Sequence, residues 1–373
     1  MSDSPRARQA LLAAGLATFV MMGVAQSLYG PALPAFGRMF GVDPARTGLV
    51  VSAHWTGCAL GISLMFGMGG RISARHALAI MLAGALGLAT LASWGAVLAS
   101  AFVFGTGYAM ATAVFNPRVL AAFGPKGPAM LSALNACYGI GAILAPLAFV
   151  RIGSDLRLAF LATAALAALI WLMPGSAAPA TSPGRAPVRG FRPSLPILAF
   201  GAVAIGLEAA LAGLGPTALI AAGETEARAA DLLSVFFMVF LAARIALGFT
   251  AHLVPGFVLY LGGMAAIAVL ALVAALVSPA LGFVAMGASA GLFFPSYFVT
   301  ASRRMGEDPR VPPVIIGAGL LGGIVAPLVF APLMGSFGPR GFFWLVAVLS
   351  GATTLAAVLA LRPMLRAPAL PQA

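Results

Sequence analysis

Polar residues interrupt this chain only briefly. Apolar stretches follow one another nearly end to end, each about as long as the roughly 20 residues a helix needs to span a bilayer. The pattern predicts spans at 10–33, 48–68, 77–94, 97–117, 129–150 and 157–174. It predicts six more at 196–217, 232–250, 257–277, 280–302, 312–335 and 341–361. Ser93, Trp94 and Gly95 supply the only turn signal between the third and fourth spans. Residues 175–195, GSAAPATSPGRAPVRGFRPSL, form the one long polar connection. Dominated by Pro, Ala, Gly, Ser and Arg, this stretch cannot bury a core and reads as a linker. The expected organisation is a six-helix bundle over 1–174, a cytoplasmic linker over 175–195 and a second six-helix bundle over 196–373.

An internal echo supports the division. Residues 141–149 read GAILAPLAF and residues 322–330 read GGIVAPLVF, with six of nine positions identical at an offset of 181. Gly30-Pro31 ends span one as Gly215-Pro216 ends span seven, and Ser52 stands in span two as Ser234 stands in span eight. A period of half the chain indicates a duplicated helical bundle rather than a short-repeat solenoid.

Composition narrows the class. The chain is 61% hydrophobic and 8% charged, against roughly 25% charged in soluble domains. Its 45 glycines suit close helix packing in a membrane. Its 27 prolines are tolerable there, because neighbouring helices re-satisfy the freed backbone groups. The expected fold class is therefore an all-α integral membrane protein of twelve transmembrane helices in two pseudo-symmetric halves.

The formal charge of +12 does not indicate nucleic acid, because the cations sit in short loops and build no basic face. Fourteen Lys and Arg lie on the side of the N-terminus and six on the other, with Arg244 inside a span. That bias predicts both termini in the cytoplasm and a multi-pass protein of a bacterial-type inner membrane. Arg6 and Arg8 before an apolar run resemble a signal-peptide start, but the run is too long for one and reads as the first span. Cys58 and Cys137 lie in separate apolar runs and indicate no disulfide framework. Three scattered histidines give no metal-ligand spacing, so no metal and no cofactor are expected.

Twelve spans, two parallel halves and a mid-chain linker resemble the major facilitator superfamily. The stretch GMGGRISARHA (67–77) is similar to that family's loop between spans two and three. Gly67, Arg75 and His76 fit, whereas Arg71 stands where an acid is usual, so the gating salt bridge of that motif does not carry over. Gly139 to Pro146 resembles the Gly/Pro-rich span-five motif, and Ala242-Arg244-Leu247-Gly248 resembles the end of span eight. GTGYAMATAVFNP (105–117), ALNACYGIGAILAPL (133–147) and GLEAALAGLGP (206–216) look most like the fucose-permease-like branch. The membrane acids of that branch correspond here to Gly30 and Thr112, so its proton chemistry is not implied at those positions.

Polar groups inside the spans are the candidates for function, since burying them unpaired costs several kcal/mol. Glu208 is the only acid within a predicted span. It could bind a solute, carry a proton or hold helices together. Arg244 could pair with an anionic solute or with Glu208, or could snorkel to the headgroups. His54 could titrate or donate a hydrogen bond at the interface, and Arg71 and Arg75 are gating candidates. Helical spacing groups Gln26 with Tyr29, Tyr108 with Thr112 and Asn116, Asn135 with Tyr138, and Phe294 with Tyr297. These are substrate-binding candidates, although helix–helix hydrogen bonding would explain each of them equally. Asn116-Pro117 could mark a break in span four.

No nucleophile elbow, phosphate loop or CxxC pair occurs, so neither an enzyme nor an ATP-driven pump is expected. The resemblance implies a secondary transporter of a small organic solute working by rocker-switch alternating access. It would act as a monomer in the lipid bilayer, with protons as the coupling ion if Glu208 carries them. The rival reading is a multidrug or metabolite exporter of the same superfamily.

Overall fold

A computed structural model describes residues 4–68, 71–177, 191–250, 252–306, 308 and 310–365. Twelve long helices account for most of them. In chain order they are α1 Pro5–Phe40, α2 Leu49–Met68, α3 Ala74–Thr90, α4 Trp94–Phe123, α5 Gly127–Arg151 and α6 Leu156–Leu172. The rest are α7 Leu195–Ala221, α8 Glu226–Thr250, α9 Gly256–Leu276, α10 Pro279–Met305, α11 Val311–Leu333 and α12 Gly341–Leu365. Ten are long and apolar enough to cross a membrane, while α3 and α6, at 17 residues each, sit at the short limit. All twelve predicted spans fall on these helices, and the chain is a multi-pass membrane protein.

Several ends differ from expectation, each for a local reason. Helix α1 runs past Pro31 and Pro34 to Phe40, because its last turns bury Phe36 against Phe40, Trp94 and Phe160. It stops where Gly41 takes a left-handed φ of 63°. Trp94 and Gly95 open α4 rather than forming the turn: Leu91 turns left-handed after α3, and the Ser93 hydroxyl accepts from the Ala96 N–H at 3.2 Å. Asn116-Pro117 does not break α4, which continues through it to Phe123. Helix α8 starts at Glu226, so Glu226 and Asp231 are helical and Glu208 is not the only acid in a spanning helix.

The first residues assigned to the linker also pack. Pro174–Ala177 forms a 3-10 turn with Ser176 buried, its hydroxyl donating to the Ile170 carbonyl at 2.7 Å. Residues 178–190, the greater part of that linker, lie outside the described residues.

The helices form two compact units. One comprises residues 1–183 with 226–234, and the other 184–225 with 235–373. Inside the first, α1 packs on α5, α3 on α4 and α3 on α6. Inside the second, α7 packs on α11, α9 on α10 and α9 on α12. The pairings repeat with a shift of six helices.

Glycine explains the repetition. A Cβ at Gly141 would collide with the Val20 carbonyl oxygen, and one at Gly322 with that of Ala202. These are the opening glycines of the two echoed stretches, so the echo marks backbone-to-backbone contact of α5 on α1 and α11 on α7. Gly105 and Gly287 repeat the device, set against the carbonyls of His54 and Phe236.

Candidate functional site

A cluster of ionisable and polar side chains sits within the apolar packing of each unit. In the first unit the close approach of α4 at Gly105 leaves the His54 ring among aromatic neighbours. It meets Tyr108 edge-on at 5.1 Å between centroids and lies beside Trp55 and Phe104. His54 is almost fully buried, as is Tyr29. The Tyr29 hydroxyl lies 3.4 Å from His54 Nδ1, and the Cys58 thiol lies 3.6 Å from Nε2. Both ring nitrogens therefore have a partner, one on α1 and one a turn further along α2. Next to this sealed pair, the Tyr108 hydroxyl donates to Gln26 Oε1 at 2.8 Å, and both residues are only half-buried.

Gln26 and Tyr29 share a face of α1 as expected, yet they serve different partners, one on α4 and one on α2. Thr112 donates back to the Tyr108 carbonyl at 3.1 Å, and Asn135 donates back to the Leu131 carbonyl at 2.9 Å. The Thr112 hydroxyl proton and one N–H of Asn135 are thus used within their own helices. Asn116 keeps a buried Oδ1 with no hydrogen bond among the described residues. Tyr138 is half-buried, and its backbone carbonyl faces Gly23. Cys58 was not a candidate from sequence, although its spacing of four from His54 places the two on one helix face.

In the second unit Arg244 on α8 brings Nη2 to 3.7 Å from Oε1 of Glu208 on α7. Three features hold the arginine: Nε donates to the Gly291 carbonyl at 3.2 Å, the guanidinium lies 4.3 Å from the centre of the Phe240 ring, and Glu208 supplies counter-charge. At 3.7 Å the ion pair is longer than a charge-assisted hydrogen bond. Glu208 Oε2 is buried and has no hydrogen-bond partner among the described residues. The carboxylate thus has one oxygen turned to a cation and one unpartnered.

Tyr297 is fully buried and donates to the Ile315 carbonyl at 3.0 Å. Its ring fills the space beside Gly201, so it ties α10 to α7 and α11. Phe294, on the neighbouring face, is partly exposed and lies against Phe298. Tyr260, which sequence reasoning passed over, makes the matching tie from α9 by donating to the Phe200 carbonyl at 2.8 Å.

The loop residues are structurally distinct. Arg75 lies over the Trp171 ring at 5.5 Å, while Arg71 is exposed. His76 Nδ1 accepts from the Ser73 N–H at 3.0 Å and caps α3. Gly69 and Gly70 of the 67–77 stretch lie outside the described residues.

Comparisons with known proteins agree with this architecture. The profile described as Major Facilitator Superfamily matches residues 15–311. The nucleoside transporter NupG is similar in structure, with a TM-score of 0.72, 16% identity and coverage of 96% of this chain and 100% of its own. A D-xylose–proton symporter gives a TM-score of 0.74 at 13% identity, covering 93% of this chain and 96% of its own. FucP in its outward conformation gives 0.64 at 15% identity, covering 93% and 98%. At these identities the likeness is one of fold. No curated protein sequence matches the chain.

Proposed function

The chain belongs to the Major Facilitator Superfamily, and from that premise we propose that it is a secondary active transporter of small, hydroxylated organic solutes. The observation that carries this reading is the unpartnered Oε2 of Glu208 inside a membrane helix. A buried acceptor without a donor costs about 1–3 kcal/mol. A solute hydroxyl or a bound proton would remove that cost. Arg244 already places a positive charge beside Oε1, so a second full cation would be repelled and a neutral donor fits better.

In this reading Glu208 is both the solute contact and the proton carrier, and Arg244 holds it in place. In the first unit, Gln26 and Tyr108 offer a half-open polar pair suited to a hydroxylated ligand, and His54 with Tyr29 forms its rigid backing. Rocking of the two six-helix halves would give alternating access. The halves are taken as 1–174 and 196–373, with a cytoplasmic linker over 175–195. Both termini lie in the cytoplasm, by the bias of Lys and Arg.

The test begins with purified protein screened for thermal stabilisation by sugars, polyols, organic acids, amines and dyes. The stabilising solute is then used in proteoliposomes for counterflow and for uptake driven by a pH gradient. Glu208→Gln is expected to keep counterflow and lose accumulation. Accumulation driven by protons in that variant would remove Glu208 as the carrier. Stabilisation by dyes and amines alone would overturn the hydroxylated-solute reading.

A further inference from the structure

The second unit holds a cavity of about 360 Å³ where α8 ends, α9 begins and α10 approaches its C-terminal end. Its wall is two-faced. Leu247, Leu253, Leu259 and Val299 supply apolar surface, while Arg303 supplies a guanidinium and His252 an imidazole whose N–H can donate to an anion. Among the described residues no carboxylate lines it. Leu253 and Val299 are 67% and 43% exposed. On a membrane-spanning chain, apolar exposure of this kind faces acyl chains.

Arg303 differs from its neighbours. Arg304 donates to the Pro363 carbonyl, and Arg310 is paired with Asp308. Arg303 and His252 make no hydrogen bond or ion pair among the described residues. Helix α9 opens at the cavity on Pro255, which offers no side-chain cap, and its first amides, of Gly256 and Phe257, add partial positive charge at the same place.

We infer that this cavity binds the headgroup of an anionic phospholipid, with Arg303 and His252 on the phosphate and an acyl chain lying along Leu253 and Val299. The chemistry is specific on two counts. An uncompensated basic wall selects against a zwitterionic headgroup, whose own cation would meet Arg303. The exposed apolar rim selects against a small soluble phosphate, which has nothing to place there. Basic pockets between helix ends at headgroup depth are suited to lipids of this charge.

The experiment uses the full chain, purified and measured by native mass spectrometry and thermal unfolding. The probes are phosphatidylglycerol, phosphatidylcholine with the same acyl chains, and glycerol 3-phosphate. Phosphatidylglycerol is expected to be retained and to stabilise, and the other two are not. The double variant Arg303→Gln, His252→Gln is expected to weaken phosphatidylglycerol retention roughly tenfold or more. Its unfolding temperature in phosphatidylcholine should match that of the parent, since both side chains are exposed. Arg303→Lys should keep most of the retention, and Arg6→Gln, which removes an exposed cation elsewhere, should change nothing. Equal retention of phosphatidylcholine, or undiminished phosphatidylglycerol binding in the double variant, would overturn the lipid site. Stabilisation by glycerol 3-phosphate as strong as by the lipid would replace it with a small-anion site. Should the double variant fail to fold, the comparison of the three probes on the parent and on Arg303→Lys decides the question alone.

Discussion

Arg244 and Glu208 meet across α7 and α8 at 3.7 Å, with the side chains only 22% and 24% exposed. The two are 36 positions apart, and the contact closes within the second unit. Because Arg244 also donates to the Gly291 carbonyl and lies over Phe240, its position is fixed independently of the acid. Among the described residues Glu208 has no such second anchor. The acid is therefore the group free to change partner, and the arginine is the fixed member.

That asymmetry predicts a sign in a double-mutant cycle. Arg244→Ala removes the counter-charge and should cost about 1–3 kcal/mol, read as a fall of several degrees in unfolding temperature. Glu208→Gln in the Arg244→Ala background should recover most of the loss, because a neutral amide needs no counter-charge. Thermal unfolding of the parent, both single variants and the double variant checks this. Simple additivity of the two single changes would show that the groups do not interact.

The echoed glycines predict a matched pair of effects. Gly141→Val and Gly322→Val each place a side chain into a carbonyl of a neighbouring helix, Val20 in one case and Ala202 in the other. Each should cost about 1–3 kcal/mol or more and lower the yield of folded protein. Gly262→Ala, where an added Cβ meets nothing within 4 Å, should be neutral or slightly stabilising. Expression and unfolding temperature measured side by side decide the matter, and tolerance of either valine would contradict the close approach.

Burial separates the two cysteines. Cys58 is 1% exposed and sits against His54, whereas Cys137 is partly exposed. A small maleimide should label Cys137 far faster than Cys58 in the folded protein, and both equally after denaturation. His54→Ala should speed labelling of Cys58 by opening the space beside it. Mass spectrometry of timed reactions reads both rates, and fast labelling of Cys58 in the parent would refute the sealed cluster.

Arg38 and Glu226 form an ion pair within the first unit, with side chains 60% and 40% exposed. Water and salt weaken such a pair, so Glu226→Gln should cost less than about 1 kcal/mol. The small loss should vanish at high ionic strength. Unfolding temperatures of parent and variant at low and high salt check this. A large, salt-independent loss would mean that the pair is far less solvated than its exposure implies.

Hydropathy alone located the twelve helices, because a chain in lipid must satisfy its backbone inside each segment, and the length needed is written residue by residue. The echo of GAILAPLAF in GGIVAPLVF gave the doubled architecture, since close backbone contact demands glycine at the same place in both halves. Glu208 stood out for the same local reason: an acid in an apolar run is costly wherever that run packs. Which polar groups meet was beyond the sequence. These helices are apolar nearly all round, so no stripe reveals the rotation of each about its axis. Tertiary packing set that rotation. It turned Tyr29 to His54 and Gln26 to Tyr108, bonded Thr112 and Asn135 back to their own helices, and buried Tyr297 as a tie to Ile315. It also set Arg244 against Glu208 while leaving one carboxylate oxygen unpartnered, a distinction of a few ångströms that only the approach of neighbouring backbones decides.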